Sequence, residues 1–263
     1  MGERTSYEPG TFSWADLATT DADGAKAFYT ELFGWEPDDQ DAGDGRIYTM
    51  LRVDGKNVAA MYEQGERQRE QGIPPNWASY ITVENVDEST ERARSLGANV
   101  MMEPFDVMDV GRMAVVADPQ GAAFPMWQGK GSIGAELVNE VGALCWNELA
   151  TSDTAAAQDF YGQLFGWTFE PIEHEGEVVY TTIKRPDGGM NGGMNELTPE
   201  HGGAPPHWLP YFAVESLEEA TGKIEDAGGA VVTGPIQMPA GRIAVARDPQ
   251  GAAFAIWEGD LEP

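Results

Sequence analysis

The chain repeats itself. Trp14, Asp21, Phe28-Tyr29 and Leu32-Phe33-Gly34-Trp35 return as Trp146, Asp153, Phe160-Tyr161 and Leu164-Phe165-Gly166-Trp167, each 132 residues later, and Tyr48 returns as Tyr180 at the same offset. Trp77, Tyr80 and Val83 match Trp208, Tyr211 and Val214 at 131, and the heptapeptide Asp-Pro-Gln-Gly-Ala-Ala-Phe that starts at Asp118 starts again at Asp248, at 130. An offset that drifts by only two over a whole unit means duplication with almost no insertion. Two copies are too few to stack as a solenoid. The expectation is therefore a pair of units packed on each other, with the functional site in the cavity that the two halves enclose.

Length agrees: 263 residues suffice for two domains of ordinary size, and 41% hydrophobic content supports a real core. No apolar stretch approaches the ~20 residues that span a bilayer. The segment from Met1 to Ser13 is polar and lacks the apolar centre of a signal peptide. A single cysteine, Cys145, excludes an intramolecular disulfide and fits a reducing cytoplasm. With 44 acidic and 16 basic residues the net charge is −28, which argues against nucleic-acid or anionic-membrane partners. A solvated acidic shell is the plain reading, attraction of cationic ligands into an acidic cavity the sharper one; charge alone leaves both open. The partner expected is a small molecule, and the chain is expected as a monomer with pseudo-twofold pairing of its units, or as a homodimer.

Each unit opens with an alternating strand, Phe12 to Ala18 or Leu144 to Ala150. Asp21 or Asp153 then stands where a helix N-cap belongs, and Gly34 or Gly166 where the helix should stop. Phe28, Leu32 and Phe33, like Phe160, Leu164 and Phe165, recur at helical spacing and read as core. Strands are expected around Arg46 to Val53 and Val178 to Lys184, and again around Met61 and Met194. A polar loop from Glu63 to Pro75, or Glu196 to Pro206, leads to a strand at Trp77 to Val83 or Trp208 to Val214. A helix over Val86 to Leu96 or Leu217 to Ala227 follows, then three strands. The division is 10–129 for the first unit, 130–140 for a linker of little character, and 141–259 for the second.

An Asp, six residues, Phe-Tyr and Leu-Phe-Gly-Trp, closed by Asp-Pro-Gln-Gly-Ala-Ala-Phe, resembles the vicinal oxygen chelate superfamily of glyoxalases, bleomycin-resistance proteins and dioxygenases. The resemblance covers about nine-tenths of the chain. The Trp-x-(Asp/Glu)-Leu-Ala-Thr opening is similar to a two-domain actinobacterial subgroup described as glyoxalase-like or hydroxylase. The resemblance implies an α+β fold of two tandem units, each made of paired βαβββ modules forming a cup-shaped mixed sheet. It does not imply one reaction, because such folds host isomerases, dioxygenases and non-catalytic binders.

The family's catalytic members hold a divalent metal on His and Glu side chains lining the cup. Carried over position by position, those ligands fall on Trp14, Ala78 and Pro125 in the first unit and on Trp146, Leu209 and Ala255 in the second. Indole, alkyl and pyrrolidine groups offer no donor to such an ion, so no metal cofactor is expected. The alternative is a relocated metal on His207, Glu148 and Glu258. His174 and His201 read as exposed loop residues.

Strand alternation supplies what stands in the metal's place. Trp14, Asp16, Tyr80 and Trp127 share the ligand face of one cup; Trp146, Glu148, Tyr211 and Trp257 share that of the other. Leu17, Ile81, Phe124, Met126 and Cys145 fall on the opposite, helix-packing face. The aromatic groups either plug an empty cup or wall a pocket with a carboxylate at its base. Burial without a basic partner would raise the pKa of Asp16 and Glu148 and suit either to general-base work. The Gly-Met stretch from Asp187 to Asn195 is a plain hairpin, or an edge beside ligand with Met190 and Met194 as apolar walls. Two functions compete: a protein binding a small aromatic or cationic molecule in metal-free cups, and a glyoxalase-like or dioxygenase-like enzyme acting on a small oxygenated metabolite. The second unit, with the longer acidic side chain, is the expected functional cup.

Overall fold

The computed structural model describes residues 2–43, 45–198 and 203–261; His201 lies outside them. The first unit comprises β1 (Phe12–Thr19), α1 (Ala22–Phe33), β2 (Glu36–Asp41), β3 (Ile47–Val53), β4 (Lys56–Glu63), α2 (Glu66–Glu70), β5 (Asn76–Thr82), α3 (Val86–Ser95), β6 (Asn99–Val107), β7 (Gly111–Ala117) and β8 (Ala123–Gly129). The second comprises β9 (Leu144–Thr151), α4 (Thr154–Phe165), β10 (Thr168–His174), β11 (Glu177–Lys184), β12 (Met190–Glu196), β13 (His207–Ala213), α5 (Leu217–Asp226), β14 (Ala230–Met238), β15 (Gly241–Arg247) and β16 (Ala253–Gly259). Among the described residues no helix is long and apolar enough to cross a membrane.

Each unit is one eight-stranded mixed sheet, ordered β2-β3-β4-β1-β5-β8-β7-β6 and β10-β11-β12-β9-β13-β16-β15-β14. Within a module the first and last strands run parallel, as in β1 with β4 and β5 with β8, because a helix carries the chain across. The two modules join antiparallel through β1 and β5, or β9 and β13. The sheet curls, leaving a concave face in each unit and a convex face under the helices.

The helices start and stop where the side chains dictate. Asp21 accepts a hydrogen bond from the Gly24 N–H and Asp153 one from Ala156, and Gly34 and Gly166 end their helices at φ of 71° and 73°. Two strands depart from expectation. β2 reads Glu-Pro-Asp-Asp-Gln-Asp and, like β10, is exposed along nearly its whole length. Both are edge strands, paired on one side only, so burial imposes no hydrophobic alternation that a sequence pattern could reveal. The polar loop after β4 also contains the short helix α2.

The cavity expected between the halves is instead a solid core. On one side α1 packs Phe28, Tyr29 and Leu32 against Phe212, Leu217, Ile224 and Phe254 of the second unit; on the other, Phe160, Tyr161 and Leu164 of α4 pack with Ile81, Val86, Phe124 and Met126 of the first. The Asp-Pro-Gln-Gly turns join the units. Asp118 Oδ1 accepts the N–H groups of Gln120, Gly121 and Ala122, while its Oδ2 accepts the Tyr161 hydroxyl at 3.0 Å. Asp248 does the same for its own turn and for Tyr29, also at 3.0 Å. Each phenol in turn accepts an indole N–H, from Trp208 and Trp77 respectively. Every polar atom of these buried residues thereby finds a partner, as burial requires.

Residues 130–140 are more than a connector. Ala135 and Val138 are buried against Trp14, Tyr80 and Trp127 on the concave face of the first unit. The segment is tied down by backbone bonds from Ala135 N to Ser13 O and from Glu136 N to Asn57 O, and Tyr7 donates to Ala135 O at 2.7 Å.

Candidate functional site

The first cup is built on β1. Its alternation places Ala15 and Leu17 in the convex core and Trp14 and Asp16 on the concave side. Asp16 is buried at 3% exposure. Its Oδ2 accepts the hydroxyls of Tyr80 at 2.7 Å and Tyr48 at 3.1 Å, and Tyr48 accepts the Trp14 indole N–H at 3.0 Å. Burial pushes the Asp16 pKa up to about 6, and the two phenol bonds offset part of that rise by favouring the carboxylate.

The second cup reproduces this network. The Trp146 indole donates to the Tyr180 hydroxyl at 2.9 Å, and the phenols of Tyr180 and Tyr211 hydrogen-bond to Glu148. Asn195 adds a third bond, Nδ2 to Glu148 Oε1 at 3.1 Å. Tyr48 and Tyr180 were missing from the expected cup residues. Their signal was present in the repeat, because a tyrosine kept at the 132 offset on a strand of the carboxylate's own module has a shared role.

What surrounds the two networks differs. Trp14 and Trp127 are 7% and 8% exposed beneath the linker, whereas Trp146 and Trp257 are only half-buried. The Trp127 indole donates into the linker at Ser132 O, 3.0 Å away; that of Trp257 donates to Asp260 O at 3.2 Å in an exposed position. Side chains along the wall shrink as well. Opposite Asp16 stands Ala60, opposite Glu148 stands Gly193; beside Ala18 lies Tyr62, beside Ala150 lies Asn195. Gly193 has a geometric cause, since a Cβ there would meet the Tyr180 hydroxyl at 2.1 Å. Toward the mouth, Trp257 is followed across the sheet by Ile243 and then by Ile236, which is exposed. The open cup is thus aromatic and aliphatic on its walls and carboxylate at its base.

Several expected site residues stand elsewhere. Met194 is fully buried beside Leu149 and Ile183 in the convex core, because β12 pairs Gly193, not Met194, with Glu148. Met190 sits at the far end of β12 opposite Lys184, half-buried, with its carbonyl accepting from Arg185. Cys145 lies with Trp146, Leu209 and Tyr211 rather than in the helix-packing core. The reason is a register shift between Tyr211 and Phe212, which inserts an extra residue into β9 and breaks the alternation. Burial raises the Cys145 thiol pKa well above its usual range, so the sulfur stays protonated.

The relocated metal group does not assemble. Glu258 turns away from the cup to Arg242 and to the Leu217 N–H at the start of α5, and His207 Nδ1 contacts Pro205 O. Among the described residues no three His, Cys, Asp or Glu side chains converge to hold a metal ion. The family ligand positions do lie on the concave faces, with Leu209 and Ala255 packed beside Tyr211, but their side chains carry no donor atom. The residues present therefore do not fit a metal at that place. A groove of about 950 Å³ lies apart from both cups, between α3 and the end of α4, lined by Glu84, Glu88, Glu91, Arg92 and Leu164.

Comparison with known proteins agrees with this architecture. The profile of the Glyoxalase/Bleomycin resistance protein/Dioxygenase superfamily matches residues 11–125 and again 142–256. A protein of Mycobacterium tuberculosis named "Putative glyoxylase CFP32" is 42% identical over 258 residues, covering 97% of both chains. The "Anthracycline biosynthesis protein DnrV" of Streptomyces peucetius is 34% identical over 274 residues, covering 97% of this chain and 95% of that one. Among solved structures, the Mn(II)-bound glyoxalase from Novosphingobium aromaticivorans superposes with a TM-score of 0.65 at 14% identity, over 97% of this chain and 83% of that one. An extradiol ring-cleaving dioxygenase from B. fuscum gives 0.66 at 15%, over 98% and 75%. The match of both repeats, on top of two cups built from paired βαβββ modules, makes this chain a two-unit member of the glyoxalase/bleomycin resistance protein/dioxygenase superfamily.

Proposed function

We propose that the protein binds a small flat aromatic molecule in its second cup, without a metal. The observation that carries this reading is the partial exposure of Trp146 and Trp257 on a concave face, where their counterparts in the first unit are buried under the linker. Indole faces give large, rigid contact area at little entropic cost, and a site that needed them only as filler would cover them, as the first cup does. The Streptomyces relatives are named for the biosynthesis of anthracyclines, which are flat polycyclic aromatics. The test is calorimetric titration with 2-naphthol and with an anthracycline aglycone. Saturable binding to the wild type and to Trp14→Phe, lost in Trp146→Leu, is the expected result. No saturable heat at millimolar probe, or equal binding by Trp146→Leu, would sink the reading.

A second reading has its own support. Glu148 lies at the base of an open cup, where a carboxylate could take a proton from a bound oxygenated metabolite, and the mycobacterial relatives carry the name glyoxylase. Turnover of a small ketone or hydroxyketone that disappears in Glu148→Gln, or about one transition metal per purified chain by elemental analysis, would move the balance to this enzyme.

A further inference from the structure

The aromatic-cup reading leaves open what the base of the cup recognises. We infer that the second cup selects a positively charged amine carried on the aromatic body, with Asn195 reading the charge beside Glu148. The inference rests on that reading and adds the chemistry of the group at the base.

Among the described residues, the indole and phenol donors around the base are already committed. The Trp146 indole serves Tyr180, the phenols of Tyr180 and Tyr211 serve Glu148, and the Trp257 indole serves Asp260 O. Asn195 is oriented by the same logic. A carboxylate only accepts, so the amide nitrogen must face Glu148 Oε1 and the amide oxygen must face away. Among the described residues that oxygen, Oδ1, is buried and has no hydrogen-bond partner. A buried acceptor left unpaired is costly, and a ligand donor placed there would remove the cost.

An ammonium group answers each requirement. It has three donors and no acceptor, it is attracted by the Glu148 charge, and it gains from the π faces of half-buried indoles. A surface of net charge −28 draws cations toward the molecule. An anionic group would face a carboxylate and an amide oxygen, both acceptors. The first cup gives the contrast: Tyr62 occupies the place of Asn195, its ring stacked on Tyr48 at 6.2 Å.

The experiment uses three probes that share one naphthalene body: 2-(2-naphthyl)ethylamine, 2-(2-naphthyl)ethanol and 2-naphthylacetate. Affinities are measured by calorimetry near neutral pH for the wild type, Asn195→Leu and Glu148→Gln, with thermal melts to verify folding. The amine is expected to bind at least about tenfold more tightly than the alcohol, ~1.4 kcal/mol, with the acetate weakest. Asn195→Leu should bring amine and alcohol to within threefold, and Glu148→Gln should reduce the amine preference in the same direction. If the alcohol or the acetate binds as tightly as the amine, the charge inference is overturned while the aromatic cup stands. The same follows if Asn195→Leu weakens all three probes equally. If none of the three binds, both fall.

Discussion

The two cups share a hydrogen-bonded base and differ in their cover. In both, an indole donates to a tyrosine, and that tyrosine and a second one hydrogen-bond to the carboxylate on the first strand. In the first cup the linker lies on the aromatic groups and Tyr62 thickens the wall; in the second Gly193 and Asn195 thin it and the indoles meet solvent. The network is therefore not by itself a mark of function, since it persists where a segment of the chain already occupies the concave face. Openness, and the polar group at residue 195, distinguish the second cup from the first.

The largest expected effect tests the cover directly. Trp14→Ala should cost about 3–5 kcal/mol of stability, as for a large aromatic removed from a packed core. Trp146→Ala should cost only about 1–2 kcal/mol, because a half-buried ring surrenders less apolar area. Urea melts of the two variants decide; equal losses would mean that the cups are equally filled and that the contrast is false.

Next in size is the pH dependence of the closed cup. Asp16 titrates near 6 in the folded chain against an ordinary 3.8. The folded state then holds a proton that the unfolded state has lost, so stability is greater below about pH 4 than above about pH 6 as far as this group is concerned. At ~1.4 kcal/mol per pKa unit the loss as pH rises through that window is about 3 kcal/mol. Asp16→Asn keeps the acceptor oxygen and removes the titration, so the stability difference between variant and wild type should grow between pH 4 and pH 6 and level off above. A difference independent of pH would place the source of that slope outside the first cup.

The smallest effect concerns the surface that both units share. Raising NaCl from 0.1 M to 1 M shortens the Debye length from about 10 Å to about 3 Å, and a chain with 44 acidic and 16 basic residues should melt at a higher temperature as its self-repulsion is screened. The rise should be the same in Trp14→Ala and Trp146→Ala, since neither alters the shell. A flat or falling curve would remove charge repulsion as a significant contribution; a rise confined to one variant would tie it to a cup.

Much of this was legible in residues. The capping aspartates, the glycine stops and the apolar helix faces stood at their structural positions, because each acts through local backbone geometry. Trp14, Asp16, Trp146 and Glu148 fell on the concave face because alternation holds along an unbroken strand. It failed at Cys145, one residue before Trp146, where a bulge puts two residues of one strand against one of the next. It failed again at Met194, whose face depends on which residue β12 sets opposite Glu148. The edge strands β2 and β10 left no pattern, having no buried face.

The sequence by itself determined the duplication and the superfamily, since identity and spacing carry those directly. Only the tertiary structure decided that the halves meet through a solid core, that the linker closes one cup, and that in the other Asn195 turns its nitrogen to Glu148 and its oxygen to no partner among the described residues. These are contacts between residues far apart in the chain. Their existence depends on how the sheets curl and pack, which no local pattern records.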